Sequence, residues 1–428
     1  MIKEIEGGVT AAKGFLATGI AAGIKKDGSM DMAMVVSTVP CTAAGTFTTN
    51  VVKAAPVIYD REMIQKNGIA QAVVINSGIA NACTGKEGLD ACLRTAEAAS
   101  KGLEKFRMTE QDGKPAINAD GKPVPAESIL VCSTGVIGYQ LPIDKIARGA
   151  EVMSRHAEGS PESGMQAACA IMTTDTKCKE KSFSFTLSDG TEATIGGMSK
   201  GSGMIHPNMC TMLAFVTTDI SISRELLQEA LSEDIQETYN MISVDGDTST
   251  NDTCLLLANG LAGNKTITEK GADYETFCEA LHAVNEALAK KMAADGEGAT
   301  AMLEVKVTGA RTHGDAKILA RSVVSSNLTK AALYGHDANW GRILCALGYA
   351  GVDFDPEKVD VTIESAAGRL VLVKNEVATD YSEEEATKIL SESAVTVTCD
   401  MKEGDASATA WGCDLTHKYV EINGDYRS

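Results

Sequence analysis

The segment from Gly196 to Thr218 combines residue types that could carry out chemistry. Its glycines allow close approach of the backbone, Lys200 adds a positive charge, and Thr211 opens the apolar run MLAFV, which predicts a buried strand. The hydroxyl of a threonine in this position can attack the carbonyl of the preceding residue, Cys210. An N-to-O acyl shift followed by hydrolysis would then cut the chain between the two residues.

Such a cut would free the α-amino group of Thr211. This amine would titrate near neutral pH and could act as a general base, while the hydroxyl of the same residue acts as the nucleophile. From residue types alone, a structural threonine at the start of a strand is the more frequent case. The catalytic interpretation therefore depends on the rest of the chain.

Length, composition and charge restrict the class of protein. The 428 residues predict two or three domains, and 44% hydrophobic with 23% charged residues is typical of a folded soluble chain. The formal charge of −19, without a cluster of Lys and Arg, argues against a nucleic-acid partner. We find no signal peptide and no apolar run of transmembrane length, so we expect no membrane partner and a cytoplasmic protein.

The twelve cysteines include no C-x-x-C pair. This argues against a zinc ribbon and a thioredoxin-type motif. Most of them lie in apolar or small-residue runs, which predicts buried thiols in a reducing compartment.

Strand and helix patterns alternate along the chain. We predict strands at 32–39, 72–75, 129–133, 303–308, 359–363 and 395–399, and a hairpin of 183–187 with 192–195. We predict helices at 88–104, 223–242 (with Ser223 as N-cap) and 274–294, a helix with a glycine-rich turn at 330–351, and a proline-rich loop at 109–128. This order predicts a mixed α/β (α+β) fold with antiparallel pairing.

The motifs along the chain, taken together, resemble the glutamate N-acetyltransferase (ornithine acetyltransferase) family of arginine biosynthesis. They are GVTAAKGF (8–15), INSGIANACTG (75–85), STGVIG (133–138), MTTDT (172–176), GGMSKGSGMIHPNM (196–209), SVDGDTSTNDT (243–253), DGEGAT (295–300), NWGRI (339–343) and NGDYRS (423–428). They cover nearly the whole chain and follow the order of the family.

The resemblance implies a fold and a maturation step. The fold is the layered, DmpA-like architecture of enzymes with an N-terminal threonine nucleophile. Autocatalytic cleavage between Cys210 and Thr211 implies an α chain of residues 1–210 and a β chain of residues 211–428. Family members commonly assemble as (αβ)₂ heterotetramers and need no metal or organic cofactor.

The resemblance also implies roles for individual residues. Thr134 and Gly135 match the oxyanion hole, and Lys200 matches a lysine that contacts the substrate. The remaining positions that match substrate-binding residues are Thr173 or Thr174, with Thr173 favoured, Glu297, Asn423 and the terminal Ser428, together with Thr211 itself. Without the resemblance each has a plainer explanation, such as a solvated charge, a turn residue or a frayed terminus.

The implied reaction is a ping-pong transfer of acetyl from N2-acetylornithine to L-glutamate through an acyl-Thr211 intermediate. The sequence leaves open whether acetyl-CoA also serves as co-substrate. Two alternatives remain: an autoprocessed amidase or aminopeptidase that uses the same threonine, and a catalytically silent relative that only binds ligands. The chain departs from the usual family residues at Cys210 (usually Ala), Ala301 (usually Lys) and Ala338 (usually Pro).

Overall fold

The computed structural model describes residues 2–107, 115–118, 121–206 and 212–426. The strands in this part of the chain are β1 Ile2–Ile5, β2 Phe15–Ile20, β3 Met32–Phe47, β4 Ile69–Ile79, β5 Ile129–Val136, β6 Lys179–Thr186, β7 Glu192–Lys200, β8 Leu213–Thr218, β9 Ile242–Ser243, β10 Thr253–Ala258, β11 Met302–Ala310, β12 Asp360–Ser365, β13 Gly368–Lys374, β14 Val377–Ala378, β15 Ala394–Asp400 and β16 Ala406–Cys413. The α-helices are α1 Ala55–Asn67, α2 Gly85–Arg107, α3 Ile143–His156, α4 Pro161–Ala170, α5 Arg224–Glu237, α6 Ala272–Ala294, α7 His313–Ser325, α8 Asn327–Tyr334, α9 Trp340–Gly348, α10 Glu383–Leu390 and α11 His417–Asp425.

The strands form two sheets. The larger one has nine strands in the order β1-β6-β7-β8-β10-β3-β4-β5, with β2 paired to β3. The smaller one has seven strands in the order β14-β13-β12-β15-β11-β16-β9. Parallel pairs such as β8 with β10 and β4 with β5 occur beside antiparallel pairs such as β7 with β8. The predicted mixed α/β fold class is therefore confirmed.

The centre of the large sheet follows from its sequence. Every residue of β8 (LAFVTT) and of its parallel neighbour β10 (TCLLLA) is buried. Continuous apolar runs of this kind are typical of strands covered on both faces. These two strands therefore lie in the interior of the protein, and β8 begins two residues after Thr211.

Helix α6 packs between the two sheets. It contacts β6 and β7 of the large sheet and β11 and β16 of the small one. Its buried residues recur at helical spacing along its length: Tyr274, Phe277, Leu281, Val284, Leu288 and Met292. The helix ends at Ala294, directly before the motif that contains Glu297.

Most predicted elements are present, and several are longer than the apolar pattern alone indicated. The strand predicted at 32–39 is β3, Met32–Phe47, and the helix predicted at 88–104 is α2, Gly85–Arg107. The hairpin is the antiparallel pair of β6 and β7. Within the predicted loop 109–128, residues 115–118 and 121–125 belong to no helix or strand, a single 3-10 turn spans Ala126–Ser128, and 109–114 and 119–120 lie outside the described residues.

Two predicted elements need correction. The helix predicted at 223–242 has Ser223 as its N-cap but ends at Glu237, and a 3-10 turn (Tyr239–Met241) and β9 follow. The cause is Thr238, whose backbone is not helical (φ −118°, ψ −89°) and whose hydroxyl donates to the Asp234 carbonyl. The segment 330–351 holds parts of two helices, α8 and α9, separated by the turn at Gly335.

The predicted cleavage position falls between two neighbouring strands. Cys210 and Thr211 lie outside the described residues, but β7 ends at Lys200 and β8 begins at Leu213. The two strands pair antiparallel in the large sheet. Residues 1–210 and residues 211–428 therefore both contribute strands to the same sheet.

Most described cysteines are buried thiols, as predicted, but Cys83 and Cys345 are exposed, Cys278 is partly buried, and one pair is oxidised. Cys169 and Cys178 form a disulfide, with their Cα atoms 5.1 Å apart. Buried free cysteines in the described part of the chain are Cys41, Cys92, Cys132, Cys254, Cys399 and Cys413. The pairing of Cys169 with Cys178 could not be read from the sequence, because it depends on how α4 and β6 are placed.

No helix among the described residues is long and apolar enough to cross a membrane.

Candidate active site

The end of strand β5 brings Thr134 and Gly135 to the edge of the large sheet. Gly135 pairs with Gly78 of β4 and has φ +127°, a conformation that favours glycine. A Cβ atom at Gly135 would lie 2.3 Å from the carbonyl carbon of Gly78. The side chain of Asn251 ties the strand ends together, since its Nδ2 donates to the carbonyls of Ala80 (2.6 Å) and Ser133 (2.8 Å). The backbone at Gly135 is thus held in one geometry.

Lys200 is the last residue of β7. It pairs with Leu213 of β8, two residues after Thr211. The buried ammonium donates to the hydroxyl of Thr173 (2.7 Å) and, over 3.5 Å, to that of Thr134. Lys200 therefore links the strand edge that carries Thr134 to the loop that carries Thr173.

Buried charges surround Lys200. Burial lowers the pKa of Lys200, Asp175 opposes this shift, and Lys179 adds to it. Burial would raise the pKa of Asp175, but Lys200 and Lys179 outweigh it and hold that pKa well below its usual range. Asp175 is therefore an ionised carboxylate between Lys179 and Lys200.

Glu297 lies in the turn that follows α6. Its backbone N–H donates to the Ser202 carbonyl (2.9 Å), and its buried carboxylate accepts a hydrogen bond from Asn423 Nδ2 (2.6 Å). Gly203 leaves room for it, since a Cβ there would lie 2.2 Å from Glu297 Cδ. The C-terminal helix α11 thus reaches the site through Asn423.

One cavity of about 130 Å³ joins these groups. Its lining comprises Ala80, Thr134, Gly135, Ile137, Thr173, Thr174, Lys200, Gly203, Met204, Met212, Leu213, Ser249, Thr250, Asn251, Asp252, Glu297, Asn423 and Tyr426. Every predicted site residue that the structure describes is in this lining. Cys210, Thr211 and Ser428 lie outside the described residues, but Met212, the neighbour of Thr211, lines the cavity. The structure places these residues together, and their individual roles stay predictions.

The structure adds polar residues that the sequence interpretation missed. Asp175, Asn251, Asp252 and Tyr426 belong to motifs that carried the resemblance, but no role was assigned to them. A motif written as letters does not show which of several neighbouring polar side chains points inward. The buried setting of Asp175 could have been suspected only from its two lysine partners, and these are known only from the fold.

Among the described residues, no group of three or more His, Cys, Asp or Glu side chains is arranged to hold a metal ion. The polar groups of the cavity are instead hydroxyls, amides, one ammonium and carboxylates. This set suits the recognition of a small molecule that carries both carboxylate and amino groups.

Comparison with known proteins identifies the family of this chain. The model of the ArgJ family matches residues 16–428. The chain belongs to the ArgJ family. It is 50% identical over 418 residues to the arginine biosynthesis bifunctional protein ArgJ of Thermotoga neapolitana, with 97% of this chain and 99% of that protein covered. It is 46% identical over 424 residues to the ArgJ protein of Caldanaerobacter subterraneus, with 99% of each covered.

A solved structure gives a further likeness. The crystal structure of the arginine biosynthesis bifunctional protein argJ from Bacillus halodurans is 48% identical, covers 50% of this chain and 100% of that chain, and has a TM-score of 0.48. The family predicted from the motifs is confirmed by the family match, and so is the prediction of an acyltransferase of arginine biosynthesis. These comparisons do not support the amidase alternative better than they support the acyltransferase.

Proposed function

We propose that this ArgJ family member transfers the acetyl group of N2-acetylornithine to L-glutamate through Thr211, and releases ornithine and N-acetylglutamate. The observation that carries the proposal is the shared cavity: the Thr134–Gly135 edge, Lys200 and Glu297 line it together with Met212, the residue after Thr211. An acyl carbonyl next to Thr211 would then lie close to backbone donors, a cation and a carboxylate.

The proposed reaction has two half-reactions. The Thr211 hydroxyl attacks the acetyl carbonyl and gives its proton to the Thr211 α-amine, while Thr134 and Gly135 stabilise the oxyanion. The C–N bond then breaks, the ornithine nitrogen takes the proton from the α-amine, and the acetyl group stays as an ester on Thr211. The uncharged amine of glutamate then attacks the ester carbonyl and the bond to the Thr211 oxygen breaks. The proton lost by the glutamate nitrogen passes through the α-amine to that oxygen, which restores the threonine and gives N-acetylglutamate. The chemistry needs no metal or organic cofactor.

Two charged groups recognise the substrate in this proposal. The Lys200 ammonium binds the α-carboxylate, and Glu297, held by Asn423, accepts hydrogen bonds from the side-chain ammonium of acetylornithine. Thr173 and Thr174 both line the cavity, and Thr173 receives the hydrogen bond from Lys200, so we assign substrate contact to Thr173. Ser428 completes the proposed set as a residue of the C-terminal end.

We further propose that cleavage between Cys210 and Thr211 matures the protein in the cytoplasm. The products, residues 1–210 and 211–428, would stay associated because β7 and β8 pair in the centre of the large sheet. Two such pairs would form the (αβ)₂ heterotetramer. Free α-amine at Thr211 requires the cut, so processing and activity should rise together.

A second acetyl donor is also proposed. The relatives from Thermotoga neapolitana and Caldanaerobacter subterraneus are named bifunctional proteins, which supports acetyl-CoA as a second donor for glutamate. The assay supplies acetyl-CoA and glutamate without acetylornithine. Formation of N-acetylglutamate is expected, and its absence in an enzyme that still uses acetylornithine would restrict the chain to recycling.

Substitution of Thr211 by alanine tests the nucleophile. Thr211→Ala should give one uncleaved polypeptide of 44.8 kDa with no acetyl transfer, because both the hydroxyl and the exposed amine depend on the native residue. Gel electrophoresis and an assay of ornithine release measure the two effects. Acetyl transfer by this variant would show that Thr211 is not the nucleophile.

Cys210→Ala is the matched control at the neighbouring position. Cleavage of the chain and acetyl transfer should both persist in this variant, since alanine is the usual residue before the threonine in this family. A cleaved but inactive Cys210→Ala enzyme would favour a thiol mechanism instead.

Omitting glutamate separates transfer from hydrolysis: steady release of acetate at the full rate would favour the amidase alternative.

A further inference from the structure

A row of buried charges adjoins the cavity through Lys200. Lys179 is only 1% exposed, and its ammonium lies 2.7 Å from Asp175 Oδ1 and 2.5 Å from Asp295 Oδ2. On the other side of Asp175, the ammonium of Lys200 is 3.8 Å from Oδ2. The order of charges is therefore Lys200, Asp175, Lys179 and Asp295, with alternating signs.

Asp175 also fixes the backbone on both sides of Lys200. Its Oδ1 accepts the N–H of Gly201 (2.7 Å), and its Oδ2 accepts the N–H of Thr173 (3.1 Å). The first bond holds the residue that follows Lys200 and the second holds the threonine that Lys200 contacts. Each carboxylate oxygen thus has a backbone donor and a lysine partner.

Asp295 is the last member of this row of charges, and Glu297 follows it by two residues in the sequence. It accepts the backbone N–H and the hydroxyl of Thr176, in the loop that also contains Asp175. Ser202 closes the connection, because its hydroxyl donates to the Asp295 carbonyl (2.7 Å) and its own carbonyl accepts the N–H of Glu297 (2.9 Å). The two ends of the substrate site are therefore joined through buried charges and short hydrogen bonds.

We propose that Asp175 is a positioning residue that keeps Lys200 charged and, through Lys179 and Asp295, fixes the spacing between Lys200 and Glu297. The inference rests on the proposed function, in which Lys200 binds a carboxylate and Glu297 an ammonium group. The network then selects a substrate class: small amino acids whose carboxylate and distal amine match one separation. Substrates without the carboxylate cannot be bound by Lys200 and should therefore react with lower kcat/KM.

The charges that face Lys200 give the direction of a pH effect. They are Asp175, Lys179, Glu297 and Asp252, and Lys25 lies near enough to interact with it as well. Burial already lowers the pKa of Lys200, and Asp175 opposes this shift. Without the charge of Asp175, the pKa of Lys200 falls further. Carboxylate binding needs the protonated amine of Lys200. As the pH rises, a protein without the Asp175 charge therefore loses this binding at a lower pH than the wild type does.

The experiment uses the mature full-length enzyme with Asp175→Asn, which keeps the side-chain shape and removes the charge. Acetyl transfer is measured with N2-acetylornithine and with its α-carboxamide, which lacks the carboxylate. In the wild type kcat/KM should favour the carboxylate substrate, and in Asp175→Asn this preference should fall by roughly 10- to 100-fold, mostly through KM. The kcat/KM of the variant should also decline at lower pH than that of the wild type.

Asp234→Asn is the matched control. Asp234 is a buried carboxylate of α5 that pairs with His282 and Asn285, and it lines no part of the cavity. Its substrate preference and pH profile should equal those of the wild type. Asp175→Glu, which restores the charge, should recover the pH profile of the wild type even where KM stays raised.

Several outcomes separate this inference from the proposed function. A wild type that transfers no acetyl group would overturn the proposed function itself. An active wild type, with an Asp175→Asn variant that loses rate equally for both substrates and at every pH, would overturn the positioning role. If thermal melting shows that Asp175→Asn does not fold, Asp295→Asn takes its place: a smaller fall in the same preference supports the inference, and an unchanged preference overturns it.

Discussion

The cavity has two walls that are built in different ways. The wall from the large sheet carries Thr134, Gly135 and Lys200 at the ends of β5 and β7, where backbone pairing and buried charges hold them. The wall from the C-terminal segment carries Asn423 near the end of α11 and Tyr426 just after it, which is 46% exposed. In the proposed function, the reaction chemistry and the binding of the carboxylate belong to the wall from the large sheet, and part of the substrate recognition belongs to the exposed wall.

The C-terminal wall is held by a few individual bonds. The hydroxyl of Thr416 donates to the Gly298 carbonyl (2.8 Å), and that of Tyr419 to Asp245 Oδ2 (3.2 Å). Asn423 then holds Glu297, which is itself buried. Changes at the Thr134–Gly135 edge of the sheet wall should therefore lower kcat strongly, whereas changes on the C-terminal wall should raise KM by smaller factors.

The largest effect is expected at Gly135. In Gly135→Ala the new methyl would lie 2.3 Å from the Gly78 carbonyl carbon, so the strand end and its N–H must move. Loss of one oxyanion donor costs roughly 10²–10³ in kcat. Steady-state kinetics with acetylornithine and glutamate measure this loss.

Gly138→Ala is the control for backbone strain. Gly138 also has positive φ (+89°), but nothing lies within 4 Å of an added Cβ. This variant should lose about 1 kcal/mol of folding free energy and keep its kcat. Equal loss of kcat in both variants would show that strain, and not the oxyanion site, explains the effect at Gly135.

An intermediate effect is expected at Glu297. Glu297→Gln keeps the side-chain shape and removes the charge that faces the proposed substrate ammonium. A hydrogen bond to a charged group contributes roughly 1.5–3 kcal/mol, so KM for acetylornithine should rise by about 10- to 100-fold with a smaller change in kcat. A variant with unchanged KM would remove Glu297 from substrate recognition.

The smallest effect is expected at Asn423. Asn423→Ala removes the 2.6 Å hydrogen bond to Glu297 at an exposed position, and KM should rise only about fivefold. Val420→Ala, an exposed position on the same helix, should leave KM unchanged. If Asn423→Ala instead abolished kcat, the division of roles between the two walls would be wrong.

Local patterns predicted much of the fold. The apolar run of β8 and the helical spacing of α6 were predicted because burial imposes them residue by residue, whereas β10 was not predicted. The helix from Ser223 was predicted too long, because the helix-ending contact of Thr238 with Asp234 does not interrupt the apolar spacing.

The candidate site was predictable through its motifs only in part. The motifs led to Lys200 and Glu297, but the network that joins them was missed, because Lys179 and Asp295 are 116 residues apart in the chain. Spacing in the sequence carries no information about such a contact. The disulfide of Cys169 and Cys178 was missed for a different reason: its partners are only 9 residues apart, but the spacing does not show that the loop after α4 brings their Cα atoms to 5.1 Å.

Intact-mass measurement of the chain that begins at Thr211 shows whether the acetyl group passes through this residue. The mature enzyme is incubated with N2-acetylornithine in the absence of glutamate, then digested to locate any added group. We expect one acetyl group on the Thr211 hydroxyl, formed with one equivalent of ornithine and removed when glutamate is added. An acetyl group on a cysteine, or turnover without any acetylated enzyme, would contradict this expectation.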